Sequence, residues 1–179
     1  MLIISDDSTD STPSICQEFA SKDKRIHYIH QKNRMGLVWN LDYVLKQAKS
    51  EYFMWAGVDD KWTADSLEKN IAILDSNKDV VCSQGKIKHY GPWGDKFDSK
   101  PNDSSTQKIY KKFRRSFRPF ENTSAYGSYE KRVGIILRKT AYYHAYGVFR
   151  TKELQESMVK EFFCWDWATI LSVLKQGNF

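Results

Sequence analysis

Two acidic clusters carry the groups in this sequence best suited to chemistry: Asp6-Asp7-Ser8-Thr9-Asp10 near the amino end, and the adjacent pair Asp59-Asp60. Neighbouring carboxylates with few cations nearby repel one another, and a divalent ion placed between them relieves that repulsion. The same residues also have a structural use, because Asp and Ser cap helices and sit well in solvated turns. Each cluster follows an apolar run that reads as a strand, Leu2 to Ile4 in one case and Tyr52 to Val58 in the other. In an open α/β sheet the carboxyl ends of the strands form the edge at which ligands bind.

The elements that must position these clusters follow from the apolar pattern. After the first cluster, Ser11 or Thr12 can cap a helix with Pro13 in its first turn, running to about Ala20. Ile26, Tyr28 and Ile29 suggest a second strand, and Leu37, Leu41, Val44, Leu45 and Ala48 recur at helical spacing. A helix capped near Thr63 or Asp65 follows the second cluster, with Leu67, Ile71 and Leu74 as its apolar face. Val80-Val81-Cys82 reads as a further strand. From about Gly91 to Tyr129 there is no sustained period, which predicts a long irregular insertion with at most one short helix. Order returns after Val133, with a short strand at Gly147 to Arg150 and a last helix lined by Trp167, Ile170, Leu171 and Leu174. Strands alternating with helices in this way predict an α/β fold with a largely parallel sheet.

At 179 residues, 41% hydrophobic and 15% aromatic, the chain suits one domain and carries enough apolar surface to exclude wholesale disorder. Cys16, Cys82 and Cys164 form no CxxC pair and are odd in number, so neither a disulfide framework nor a zinc site is expected, and the thiols read as reduced in the cytoplasm. His27, His30, His89 and His144 show no ligand spacing. No apolar run reaches the length needed to cross a bilayer and no leader pattern opens the chain, so export and membrane spanning are not expected. The net charge of +6 and a pI near 9.1 favour an acidic partner: nucleic acid, anionic lipid or a diphosphate. Much of the excess lies between Lys108 and Arg118, interleaved with Phe113 and Phe117. That stretch reads as a solvated face or as a peripheral attachment to an anionic membrane.

Taken together, Ile4-Ser5-Asp6-Asp7-Ser8-Thr9-Asp10-Ser11-Thr12, the stretch Gln31 to Asn40, and Tyr52 to Trp62 with its aromatic strand, Asp pair and following Trp resemble the family 2 glycosyltransferases in residue type and order. Gly147-Val148-Phe149-Arg150 and Asp166-Trp167 leading to Gly177-Asn178-Phe179 are similar to elements of the family's acceptor side. The resemblance implies a GT-A-like fold, a mostly parallel sheet flanked by helices, and transfer of a sugar from a nucleotide-diphosphate sugar to a saccharide or lipid-linked acceptor. Such an enzyme would serve surface polysaccharide or glycolipid synthesis, in the cytoplasm or at the inner face of the membrane, with inversion at the anomeric carbon. Asp6, Asp7, Asn40 and Asp59 would hold the donor, with Asp6 at the base edge. Asp60 with Asp59 would hold the metal, and Asp166 would be the catalytic base. An all-oxygen site of carboxylates and phosphates suits Mg²⁺ or Mn²⁺.

Trp39 stands where the family often has Arg, and Gly57 stands where the first Asp of its D-x-D pattern falls. The family's usual first strand, near the middle of the sheet, has no counterpart ahead of Met1. The remaining sheet is therefore expected to keep two unpaired edges or to close differently. The chain divides into a nucleotide-binding half (1–90), an irregular basic insertion (91–132) and an acceptor-side half (133–179). A non-catalytic module of the same fold is the alternative. A nucleic-acid-binding domain using Lys108 to Arg118 is weighed as well, although no nucleic acid is expected as partner.

Overall fold

A computed structural model describes residues 2–87, 101–116, 124–139, 142–160 and 164–179. His89, Phe117 and Arg118 lie outside the described residues, as do the side chains of Asp6, Arg114 and Arg115. The elements in chain order are β1 (Leu2–Asp6), α1 (Thr12–Lys22), β2 (Ile26–His30), α2 (Leu37–Gln47), β3 (Tyr52–Phe53), α3 (Ser66–Ser76), β4 (Cys82–Ser83), α4 (Ser105–Ser116), α5 (Tyr129–Lys139), a 3-10 turn (Tyr142–Tyr146), β5 (Val148–Arg150), α6 (Thr151–Ser157) and α7 (Trp165–Val173).

The strands form two separate sheets among the described residues. β1 and β2 pair in parallel from Leu2 opposite Ile26 to Asp6 opposite His30. The second sheet has the order β3-β5-β4, with β5 antiparallel to both neighbours. β3 and β4 thus run in the same direction on either side of β5, and the described strands form one parallel pair and one antiparallel sheet where the sequence predicts a largely parallel one. The expected strand Tyr52 to Val58 pairs only at Tyr52 and Phe53. In this antiparallel register the residues beyond Phe53 run towards the start of β5 at Val148, which the chain enters from the 3-10 turn Tyr142–Tyr146.

Backbone phase shows which groups each edge leaves outward. The Leu2 N–H donates to the Arg25 carbonyl at 2.9 Å. Alternation along a strand therefore turns Leu2, Ile4 and Asp6 towards β2 and the backbone groups of Ile3 and Ser5 towards the other edge. On β3, the Thr151 N–H reaches the Glu51 carbonyl at 2.9 Å, so the groups of Tyr52 face away from β5.

The core gathers on β5. Phe149 is fully buried beside Leu45, Leu154, Ile170 and Leu174, and burial of a side chain this size contributes about 2–3 kcal/mol. Gly147 is required here, because a Cβ would fall 2.8 Å from Cys82 Sγ and 3.1 Å from the Ser83 carbonyl. The carboxyl end closes the core from another side, Ala125 and Phe179 exchanging backbone hydrogen bonds of 2.9 Å. On α3 the buried positions are Asn70 and Leu74, whereas Leu67, expected on the apolar face, is exposed. Asn70 takes that place because its side chain is satisfied at both ends, donating to the Ser66 carbonyl and accepting from the Ser83 hydroxyl at 2.8 Å.

Arg150 is buried, yet its guanidinium is well supplied. It donates to the carbonyls of Val80 at 2.9 Å, Leu74 at 2.5 Å and Asn77 at 3.3 Å, and lies 3.6 Å from Glu51. Truncation would strand these carbonyls at the end of α3. Arg150→Ala is expected to lower stability by about 3 kcal/mol or more, read from the urea midpoint. Arg150→Lys should recover only part of that loss, since a compact ammonium lacks the planar fork.

Tyr52 ties β3 to α3 by donating to Asp75 Oδ1 at 2.5 Å. That hydrogen bond, then burial and the nearby Glu51, push its phenol up to about 12 from an ordinary value of about 10. A raised folded-state value means the contribution is complete below about pH 10 and is lost as pH rises towards 12. The stability difference between the native chain and Tyr52→Phe, measured by denaturant titration, should shrink across that window and be constant below it.

Candidate functional site

The carboxyl end of β1 is held from two sides. Gln31 Nε2 donates to the Ser5 hydroxyl at 3.0 Å, and Asn40 Nδ2 donates to the Ser5 carbonyl at 3.1 Å. Because the Ser5 backbone faces the open edge of β1, Asn40 reaches across from the first turns of α2 to satisfy an edge acceptor. Its own Oδ1 is buried and accepts no hydrogen bond. A buried acceptor left open in this way is costly, and such groups recur where a ligand supplies the donor.

Asp6 closes β1 by its backbone, opposite His30. Asp7 is exposed, with Arg34 Nε 3.8 Å from its carboxylate. Asp10 has a structural use: it accepts the Thr12 N–H at 2.8 Å at the head of α1, and that bond lowers its pKa.

Asp59 and Asp60 lie in an exposed turn beyond β3, in which the Asp60 N–H reaches the Gly57 carbonyl at 3.3 Å. Their carboxylates converge over Gly57. A Cβ on that glycine would sit 2.8 Å from Asp60 Oδ2 and 3.3 Å from Asp59 Oδ1, so the missing side chain leaves a cradle between two anionic oxygens. This donor set fits a hard divalent cation that takes its remaining ligands from phosphate oxygens and water. Among the described residues no group of three or more His, Cys, Asp or Glu forms a fuller metal cage.

Trp55 joins these parts, and sequence reasoning gave it no role. It is buried four residues before Asp59, and its indole N–H donates to the carbonyl of Leu41, the neighbour of Asn40, at 3.2 Å. Its ring meets Trp165, the neighbour of Asp166, edge-on at 5.5 Å, with Phe53 at 5.2 Å and Phe149 at 6.3 Å. One indole thus ties α2, the approach to the Asp pair and the start of α7 together. The signal for it was an aromatic at the carboxyl end of a buried strand, directly before an acidic turn.

Asp166 lies in the first turn of α7 and is half-buried, with Oδ1 accepting the Trp167 N–H at 2.9 Å. The N-cap is Cys164 and not Asp166. Trp39, exposed on α2, stacks on Tyr43 with ring centroids 4.9 Å apart. A cavity of about 450 Å³ lined by Lys49, Glu51, Arg150, Thr151 and Gln155 contains none of these residues. It lies at the amino end of β3, whereas the Asp pair follows the carboxyl end.

The sequence profile of glycosyl transferase family 2 matches residues 1–134. The chain belongs to this family. Among curated proteins it is similar to the "Putative teichuronic acid biosynthesis glycosyltransferase TuaG" of Bacillus subtilis, 34% identical over 74 residues, 41% of this chain and 29% of that protein. It is also similar to a cholesterol galactosyltransferase of Borreliella burgdorferi, 37% identical over 86 residues, 47% of this chain and 24% of that protein. The chain spans about a quarter of the length of the curated relatives it matches. No solved structure matches it. The α/β arrangement is that of a GT-A-like family 2 domain.

The cradle over Gly57 leads to a sharp expectation. In Gly57→Ala the new methyl displaces the Asp60 carboxylate, the mobile end of a surface side chain, so folding should be little affected. Affinity for Mn²⁺ with a nucleoside diphosphate, measured by calorimetry, should fall by about tenfold or more, while the melting temperature without ligand changes little.

Proposed function

We propose that this chain forms the donor-binding and catalytic core of a glycosyltransferase, which moves a sugar from a nucleoside-diphosphate sugar to a saccharide or lipid-linked acceptor. The observation that carries the reading is the convergence of the Asp59 and Asp60 carboxylates over Gly57, on a segment that Trp55 anchors beside Asn40. Asp59 and Asp60 would hold Mg²⁺ or Mn²⁺, which when bound neutralises charge on the diphosphate. Asp6 and Asp7, at the carboxyl end of β1, would receive the nucleoside, and the open Oδ1 of Asn40 offers an acceptor to a donor N–H or O–H. Asp166 would take the proton of the acceptor hydroxyl as that oxygen bonds to the anomeric carbon and the bond to the diphosphate breaks. A single displacement of this kind inverts the anomeric centre. The names of the relatives support a role in surface polysaccharide or glycolipid synthesis. No described helix is long and apolar enough to cross a membrane, and the proposed workplace is the cytoplasm or the inner membrane face, with the stretch Lys108 to Arg118 against anionic lipid.

A thermal-shift series of nucleoside diphosphates with Mn²⁺ tests this reading. The native chain should be stabilised, by about 2.7 kcal/mol at a hundredfold excess over Kd, and Asp60→Ala should show no response. Asp166→Asn should keep the binding response but release nucleoside diphosphate from a sugar donor about 10²–10⁴-fold more slowly. Equal responses in the native chain and Asp60→Ala would remove Asp60 from the metal site. Among the described residues β1 and β3 each keep an unpaired edge, which favours a second reading, a non-catalytic module of the same fold, in which neither protein responds to any donor.

A further inference from the structure

We propose that α4 is a membrane-docking helix that lies in the plane of an anionic lipid surface, with Ile109, Tyr110 and Phe113 in the acyl boundary and Lys108 and Lys112 among the phosphate head groups. This deepens the membrane contact named above and rests on none of the site residues.

The helix is divided cleanly along its length. At helical spacing Ile109, Phe113 and Tyr110 fall within one arc of about 100°, while Lys108, Lys111 and Lys112 lie outside it. The helix contains no acidic residue. Its apolar residues are largely in solvent, Ile109 at 69% exposure, Phe113 at 63% and Tyr110 at 59%. In contrast α5 and α7 bury Ile136, Ile170 and Val173 completely. Among the described residues no element packs extensively on α4. Single exposed apolar residues need no explanation, but a stripe of three on one helix backed by cations marks an interaction surface.

Local interactions define the start of the helix. Ser104 and Gln107 form a reciprocal capping box, the Ser104 N–H donating to Gln107 Oε1 at 2.8 Å and the Gln107 N–H to Ser104 Oγ at 3.2 Å. Lys111 pairs with Asp103 at 2.8 Å, and Lys108 donates to the Pro101 carbonyl at 3.3 Å. A preformed helix loses less entropy on docking than a disordered segment would.

The separation of the two arcs selects the occupant. A nucleic acid would need cations and stacking rings turned towards the same ligand, and here they lie on different arcs. A protein groove would use the apolar arc and leave the basic one idle. A helix lying at a bilayer boundary uses both, the apolar arc below and long cationic side chains reaching head groups at its flanks.

Vesicle co-sedimentation of the full chain tests the proposal. The chain should bind vesicles of mixed phosphatidylglycerol and phosphatidylcholine and not vesicles of phosphatidylcholine alone. Ile109→Ser with Phe113→Ser, which leaves the charge intact, should weaken binding about tenfold or more. Lys108→Gln with Lys112→Gln should weaken it by about thirtyfold at low salt, while Lys22→Gln with Lys24→Gln, the same charge removed from the end of α1 and the turn after it, should leave it unchanged. All of the substituted side chains are exposed, and circular dichroism verifies that the variants fold. Asp60→Ala should bind vesicles as the native chain does, so loss of the nucleotide response and loss of docking are read separately. Binding that survives the serine pair, equal binding to neutral vesicles, a self-association abolished by the serine pair, or tighter binding to a single-stranded oligonucleotide than to the mixed vesicles would each overturn the proposal.

Discussion

Arg150 ends a three-residue strand, and its guanidinium satisfies carbonyls of Leu74, Asn77 and Val80 that lie at the end of α3 and the approach to β4. A buried charge is stable only when its donors are used, and these carbonyls supply what water would otherwise provide. The arrangement fixes the depth at which β5 sits between β3 and β4, because the Arg150 N–H also donates to the Val81 carbonyl at 3.0 Å. With β5 fixed, Phe149 has one place to go. Its ring meets Trp55, and Trp55 in turn holds the segment that carries Asp59 and Asp60. The geometry of the acidic turn is thus set by a cation at the other end of the same sheet, through aromatic rings in edge-on contact.

Much of this was legible in the residues. The strand that opens the first acidic cluster, the helix from Leu37 and the short strand ending at Arg150 follow from apolar period and turn chemistry, and the structure has them, whereas the expected strand Tyr52 to Val58 is formed only at Tyr52 and Phe53. Membership of family 2, and with it the GT-A-like fold, was carried by the acidic strand ends and the aromatic approach to Asp59. The pairing sense of the second sheet was not legible. A three-residue strand such as Val148–Arg150 has too few positions for alternation to show direction, and its placement between β3 and β4 is decided by the Arg150 hydrogen bonds, which are long-range. The rotation of α3 that buries Asn70 was hidden for a related reason. Asn is apolar in no scale, and only the pairing with Ser83 makes its burial cheap.

The helix Ser105–Ser116 was hidden in a different way. The sequence allowed one short helix in the insertion without locating it, yet Ser104-Ser105-Thr106-Gln107 is a capping signature visible in the bare sequence, and the structure forms both of its hydrogen bonds. Composition averaged over the insertion hid a local signal four residues long. The role of Trp55 was missed for the opposite reason, since an aromatic in a buried strand is expected as core, and nothing in the sequence says that its indole N–H will reach the neighbour of Asn40.

The open edge of β1 shows how closely fold and candidate site are bound together. An edge strand with outward backbone groups is a liability, and proteins cover or pair such edges. Here one outward carbonyl, that of Ser5, is met by a side-chain amide in place of a neighbouring strand. An amide that donates with Nδ2 still carries an acceptor, and in Asn40 that acceptor is buried and open. Had the edge been satisfied by a Lys or Arg, no acceptor would remain. Repairing the edge with Asn therefore creates, at the carboxyl end of β1, a polar group whose requirement only another donor can meet. The same residue stabilises the strand end and keeps one acceptor open, and both consequences follow from the two-ended chemistry of a carboxamide.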